Sequence, residues 1–155
     1  MDTTTAVPRC ALEPEPHQKK AVVRTDSKAR VLVIDDDHAV ADTLALVLKF
    51  SGYDAVAVYG GEEGLELARQ SAYDHLVTDV MMEPINGIQV CLAMRVICPD
   101  CKVLLISGNE RASHLLAEAQ LAGHEFDILA KPVHPSVILD RLREDPPPRL
   151  APSKP

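Results

Sequence analysis

The chain has 155 residues, of which 46% are hydrophobic and 3% aromatic, enough apolar surface for one core built from aliphatic side chains. The formal net charge is −7, and residues 31–145 hold eight Lys and Arg against nineteen Asp and Glu, a net of −11. A surface this acidic repels phosphate backbones, so we expect no nucleic-acid partner. No stretch has the apolar length of a membrane span or a secretory signal, and we expect a cytoplasmic protein without membrane contact.

Composition divides the chain into three parts. Residues 1–29 are rich in Thr, Pro, Glu and Lys without periodicity, and we predict a disordered N-terminal extension. Residues 145–155 carry repeated Pro, which favours neither helix interior nor central strand, and we predict a disordered tail. Residues 30–144 alternate apolar runs with amphipathic segments and are predicted to form one domain.

Within this domain five short apolar runs alternate with five segments of helical periodicity. The predicted strands are 30–35, 54–59, 74–79, 102–107 and 126–130. The predicted helices are 38–52, 61–72, 86–97, 109–123 and 135–145, the first ending at Gly52 and the second weakened by Gly64. Strict alternation predicts an α/β fold, a doubly wound five-stranded parallel sheet with helices on both faces.

Polar side chains follow four of the five predicted strands. Asp35 and Asp36 follow the first strand, Asp79 ends the third, Ser107 ends the fourth, and Lys131 follows the fifth. The carboxyl ends of parallel strands meet at one edge of the sheet, where three carboxylates repel one another unless a cation binds. Carboxylate oxygens suit Mg²⁺, and a lysine and a hydroxyl beside the metal would hold a phosphoryl group. A single such Asp or Ser is more often a helix cap, but the coincidence of four favours a functional site with a carboxylate nucleophile.

Four stretches around these residues, VLVIDDD, LVTDVMMEPINGI, VLLISG and ILAKP, closely resemble the motif blocks of response-regulator receiver domains of two-component signalling. The resemblance covers residues 30–144 and is to the single-domain, chemotaxis-regulator-like type. It implies a flavodoxin-like sheet with the strand order 2-1-3-4-5.

Carried over position by position, the resemblance makes Asp79 the phosphoacceptor, with Ser107 and Lys131 engaging the phosphoryl group. The metal ligands it implies are the side chains of Asp35, Asp36 and Asp79 and the backbone carbonyl of Met81. Of the acidic pair, Asp36 would be the more direct ligand. Asp37 matches no required position, and we predict that it is solvated or caps the first helix.

The sequence departs from the usual receiver pattern at two places. Receivers usually have Pro four residues after the phosphoacceptor, whereas here Glu83 holds that position and Pro84 follows. The switch residue three positions before the lysine, usually aromatic, is Ile128, and Phe126 lies two residues earlier. We therefore expect Ser107 and Ile128 to form the switch, with a muted rearrangement at Ile128.

The resemblance implies a phosphorelay response regulator, not a metabolic enzyme, with intrinsic phosphotransfer and autodephosphorylation chemistry. Its phosphodonor would be a histidine kinase or a histidine phosphotransfer protein, and its output contact with a downstream protein effector. We expect no DNA-binding output domain, because few residues follow 144. A phosphorylation-dependent homodimer through the fourth helix, fifth strand and fifth helix is also allowed.

Two other interpretations of the sequence are weaker. A haloacid-dehalogenase-type phosphohydrolase would use Asp35 as nucleophile and Asp37 as acid/base, but it leaves Asp79 without a role. The spacing Cys98-Pro-Asp-Cys101 resembles a redox or zinc half-site. It lies between a predicted helix and strand with no second pair of ligands, so we favour a loop with two reduced thiols.

Overall fold

The computed structural model of the protein describes residues 28–144. The strands are β1 (Arg30–Ile34), β2 (Asp54–Val58), β3 (His75–Asp79), β4 (Lys102–Ser107) and β5 (Asp127–Ala130). The helices are α1 (His38–Phe50), α2 (Gly61–Gln70), α3 (Gly87–Ile97), α4 (Glu110–Leu121) and α5 (Pro135–Glu144). The predicted alternation is confirmed, and every element begins and ends within two residues of its prediction. The predicted tail, and all but the last two residues of the predicted extension, lie outside the described residues.

All five strands pair in parallel in the order β2-β1-β3-β4-β5, which confirms the predicted fold class and strand order. The chain moves outward from β1 in one direction to β2 and in the other to β3. This reversal opens a crevice at the carboxyl ends of β1 and β3. In the register Asp79 lies opposite Ile106, and Ser107 lies opposite Ala130, so the ends of β3, β4 and β5 are nearly level.

Side chains alternate across the sheet and build one apolar cluster on each face. Leu32 and Ile34 of β1 point into the cluster covered by α2, α3 and α4. Val31 and Val33 point into the opposite cluster, which is covered by α1 and α5. Burying each of these aliphatic side chains contributes about 1.5–3 kcal/mol, so the two clusters fix the sheet and hence the positions of its strand ends.

Two glycines explain local geometry in α1 and α2. Gly52 has φ +97, and the amides of Gly52 and Tyr53 donate to the carbonyls of Lys49 and Leu48, which closes the end of α1. The predicted helix end is thus confirmed. Gly64 packs so closely on Ile34 that an added Cβ would overlap the Ile34 side chain. The same residue that weakens α2 as a helix lets it approach the sheet.

No helix between residues 28 and 144 combines the length and the apolar character that a membrane crossing requires.

Candidate functional site

The three predicted carboxylates meet at the carboxyl edge of the sheet. One side-chain oxygen from each of Asp35, Asp36 and Asp79 lies within 4.8 Å of the other two. Asp35 and Asp79 are 5% and 8% exposed, whereas Asp36 is open to solvent. Three hard oxygen donors, one of them beside solvent that could supply water ligands, fit the preferences of Mg²⁺.

Lys131 bridges two of these carboxylates. Its Nζ lies 3.2 Å from Asp79 Oδ2 and 3.6 Å from Asp35 Oδ2, and its backbone amide donates to the carbonyl of Ser107 at 2.7 Å. Burial lowers the pKa of Lys131, but the two carboxylates raise it by more, so its net pKa lies above that of a free lysine. Lys131 is therefore a fixed positive charge beside Asp79.

The pKa of Asp35 reflects its burial and its charged neighbours. Burial raises the pKa of Asp35, and the charges of Asp79 and Asp36 raise it further. The Asp37 amide, which donates to Asp35 Oδ1 at 3.0 Å, and Lys131 lower the pKa without cancelling the rise. Burial is the largest cause of the raised pKa. One lysine against three aspartates still leaves a net negative charge, and a bound cation would relieve the repulsion.

The backbone around Asp79 is closely packed. The Met81 amide donates to Asp79 Oδ1 at 3.3 Å, and the Gly87 amide donates to the carbonyl of Val80 at 2.9 Å. A Cβ on Gly87 would overlap the backbone carbonyl of Asp79. Only a residue without a side chain fits there, and the loop after β3 is held against the carboxylate. The metal role of the Met81 carbonyl stays a prediction.

Ser107 and Ile128, the two predicted switch residues, occupy different positions in the sheet. Ser107 ends β4, and its carbonyl is the acceptor for the Lys131 amide. The next residue, Gly108, leaves room for the Lys131 stem, because a Cβ there would lie 3.2 Å from Lys131 Cδ. Ile128 lies within β5 opposite Leu105 and is 40% exposed. It belongs to the outer surface of the edge strand.

Two other contacts have no counterpart in the sequence predictions. The guanidinium of Arg95 on α3 lies 4.6 Å from the centre of the Phe126 ring and donates to the Glu125 carbonyl at 2.6 Å. The His38 ring stacks on Tyr59 with centroids 3.7 Å apart. No local sequence signal pairs Arg95 with a ring 31 residues later.

Asp37 has the structural role that was predicted as one of two options. Its carboxylate accepts from the amides of Ala39 at 3.0 Å and Val40 at 3.3 Å, and so caps α1. This use turns the Asp37 carboxylate toward the helix amides.

The parallel sheet, the acidic cluster and the adjacent lysine define a receiver-type signalling domain. Residues 31–143 match the family model of the response regulator receiver domain, and the chain therefore belongs to that family. The family consists of signalling switches of two-component, phosphorelay pathways, and its members depend in general on Mg²⁺ and on histidine kinase partners.

Known proteins agree with this assignment. The response regulator MprA of Mycobacterium ulcerans is 36% identical over 114 residues, which are 74% of this chain and 48% of that protein. The chain thus spans about half the length of the curated relatives it matches. The adenylate cyclase structure from Rhodopirellula baltica superposes with a TM-score of 0.68 at 27% identity, covering 76% of this chain and 87% of that one. A CheY-like receiver from Methanospirillum hungatei gives 0.67 at 24% identity, covering 76% and 93%, and shows the same fold.

Proposed function

We propose that the domain accepts a phosphoryl group on Asp79 from the phosphohistidine of a histidine kinase or a histidine phosphotransfer protein. The observation that carries the proposal is the convergence of three carboxylates within 4.8 Å beside a lysine Nζ that contacts two of them. We further propose that Asp35, Asp36, Asp79 and the Met81 carbonyl hold Mg²⁺, with Asp36 as the most direct ligand. When bound, the metal would neutralise charge on the phosphoryl oxygens.

The transfer itself requires little covalent chemistry from the protein. An oxygen of the Asp79 carboxylate attacks phosphorus, the bond from phosphorus to the imidazole nitrogen breaks, and the electron pair stays on that nitrogen. Lys131, already 3.2 Å from Asp79 Oδ2, would stabilise the negative charge of the transferred group. The Ser107 hydroxyl, at the level of Lys131 on the neighbouring strand, would donate to the same group.

Output is proposed to occur by protein contact at the face formed by α4, β5 and α5. These three elements include exposed apolar side chains, with Ile128 40%, Val137 43% and Leu121 89% exposed. Phosphorylation would shift a two-state equilibrium there, which a downstream effector or a second phosphorylated copy would read. Because Ile128 is a small, already exposed aliphatic side chain, its own rearrangement should be muted.

The phosphohydrolase interpretation has no comparable support. It requires the Asp37 carboxylate as an acid/base at the site, whereas that group caps α1. It also gives no function to Asp79, which belongs to the cluster.

The test is phosphorylation by a small phosphodonor, such as acetyl phosphate, in the presence and absence of Mg²⁺. The intact mass should rise by one phosphoryl group with Mg²⁺, Asp79→Asn should abolish the gain, and Asp37→Asn should retain it. Labelling that survives Asp79→Asn and disappears in Asp35→Asn would contradict the proposal. A phosphotransfer profile against purified histidine kinases would then identify the donor.

A further inference from the structure

The turn between α3 and β4 carries the Cys98-Pro-Asp-Cys101 motif at the amino edge of the sheet, opposite the acidic cluster. The Cys101 amide donates to the Cys98 carbonyl at 3.0 Å, which closes a four-residue turn with a cysteine at each end. The first and last residues of such a turn have Cα atoms less than about 7 Å apart, a separation that overlaps the range that a disulfide spans.

The two side chains pack against the same apolar cluster. Cys101 is buried in the apolar cluster under α3, and Cys98 packs against the same cluster. Burial raises the pKa of the Cys101 thiol, and the neighbouring Cys98 thiol raises it further. The remaining contacts are weak, since Cys98 Sγ lies 3.5 Å from the Tyr73 carbonyl and Cys101 Sγ lies 3.9 Å from the Lys102 carbonyl. Little would be lost if the sulfurs bonded to each other.

Exposure differs among the three thiols of the described region. Cys98 is half-buried and reachable from solvent, Cys101 is 9% exposed behind it, and Cys91 on α3 is fully buried. In dithiols that exchange with disulfides, the outer thiol reacts first with the reagent to form a mixed disulfide. The inner thiol then attacks that mixed disulfide. A metal site at the two cysteines is the weaker explanation. Between residues 28 and 144, the three side chains arranged to hold a metal ion are those of the acidic cluster, and neither cysteine is among them.

We propose that Cys98 and Cys101 form a redox-active dithiol that a low-molecular-weight disulfide oxidises to an intrachain disulfide. The Cys98 thiolate attacks one sulfur of the reagent, forming a mixed disulfide and releasing one thiolate. Cys101 then attacks the Cys98 sulfur, forming the intrachain bond and releasing the second thiolate. The two protons of the cysteines pass to the two released thiolates, so the protein is oxidised by two electrons and the reagent reduced by two.

This site is separate from the proposed phosphorylation. The strand between them, β4, has six residues, so the turn lies roughly 17 Å from Ser107 at about 3.3 Å per residue. Asp79→Asn should therefore leave the dithiol chemistry unchanged, and the proposal does not depend on the proposed function.

The sequence allows a direct assay on the full chain. Trypsin cleaves after Arg95 and Lys102, which places Cys98 and Cys101 together in a peptide of residues 96–102 with no other cysteine. The folded protein is incubated with oxidised glutathione, blocked with iodoacetamide, digested and analysed by mass spectrometry. We expect this peptide to lose two hydrogen atoms and to escape alkylation, and dithiothreitol to restore both thiols. Buried Cys91, whose pKa burial raises to about 12, should remain unmodified as an internal check on folding.

Two variants separate the roles of the thiols. Cys101→Ala should accumulate glutathione on Cys98, because the resolving thiol is missing. Cys98→Ala should take up glutathione on Cys101 about tenfold more slowly, because that thiol is buried. The proposal is overturned if residues 96–102 keep two free thiols in the wild-type chain, if wild-type Cys98 stops at the mixed disulfide, or if Cys98 pairs with Cys10, Cys91 or a second copy.

Discussion

The two edges of the sheet differ in how their charged side chains are paired. At the carboxyl edge Asp35, Asp36 and Asp79 crowd within 4.8 Å around one lysine. At the amino edge the amide of Arg30 donates to Asp74 Oδ2 at 2.7 Å, and its guanidinium lies 3.3 Å from Asp54 Oδ2. The charge of the Arg30 guanidinium is thus paired with a carboxylate, whereas the acidic cluster has an excess of negative charge that Lys131 does not neutralise.

The contacts at the amino edge stabilise the fold, whereas those at the carboxyl edge are balanced only when a ligand binds. Like charges about 4 Å apart repel by about 1 kcal/mol in water and by several times that in a partly buried site. A fold retains such a cost where a bound group removes it, which is the role proposed for Mg²⁺ and the phosphoryl group. The contacts of Arg30 are instead satisfied within the protein, so substitutions at the two edges should change stability and phosphorylation differently.

The largest contrast should come from removing one charge at each edge. Asp79→Asn should abolish phosphorylation and raise the free energy of unfolding by about 1 kcal/mol, because it relieves repulsion. Asp74→Asn should keep phosphorylation and lower the free energy of unfolding by about 1 kcal/mol, because it weakens the bond from the Arg30 amide. Urea denaturation and intact-mass labelling measure both quantities. Destabilisation by Asp79→Asn would mean that the Lys131 contact outweighs the repulsion.

Gly87→Ala tests whether backbone packing holds the reacting carboxylate. The new Cβ would overlap the Asp79 carbonyl, so the loop must move, at a cost of about 2 kcal/mol or more. Phosphorylation should slow at the same time. Gly60→Ala is the control, since a Cβ there meets no atom within 4 Å and φ is an ordinary −157. Equal effects of the two substitutions would show that close packing at Gly87 is not the cause.

Asp36→Asn tests the exposed carboxylate as a metal ligand. Free Mg²⁺ at 100 times its dissociation constant stabilises a protein by about 2.7 kcal/mol, which raises the Tm. This rise should largely disappear in Asp36→Asn. It should persist in Asp37→Asn, because the neighbouring residue caps α1 and Asn caps equally well. Loss of the Mg²⁺ effect in both variants would indicate binding by the general acidity of the loop.

The sequence was sufficient to predict the sheet because apolar runs mark the buried strands and helical periodicity marks the segments between them. It was also sufficient to bring Asp35, Asp79, Ser107 and Lys131 to one edge, since alternating strands and helices place all strand ends there. It did not predict how closely elements approach, as at Gly64 against Ile34, because that distance depends on the angle at which a helix crosses the sheet. Contacts of that kind carry no periodic signal.

The contacts of Arg30 also carry no periodic signal, since they join residues 24 to 44 positions apart. Removing them gives the smallest expected effect. The guanidinium lies 4.5 Å from the centre of the Tyr73 ring, donates to the Ala72 carbonyl at 3.1 Å and pairs with Asp54. Exposed ion pairs and cation–π contacts each contribute up to about 1 kcal/mol, so Arg30→Ala should lower the free energy of unfolding by about 1–2 kcal/mol.

The matched control is Arg69→Ala, because between residues 28 and 144 Arg69 pairs with Glu66 in an exposed contact within α2. Its cost should be within about 0.5 kcal/mol of zero. Neither substitution should change the rate of phosphorylation, because both residues lie away from the acidic cluster. A slower rate in Arg30→Ala with the fold intact would mean that strain at the amino edge reaches Asp79 through β1 and β3, and the two edges would then not be independent.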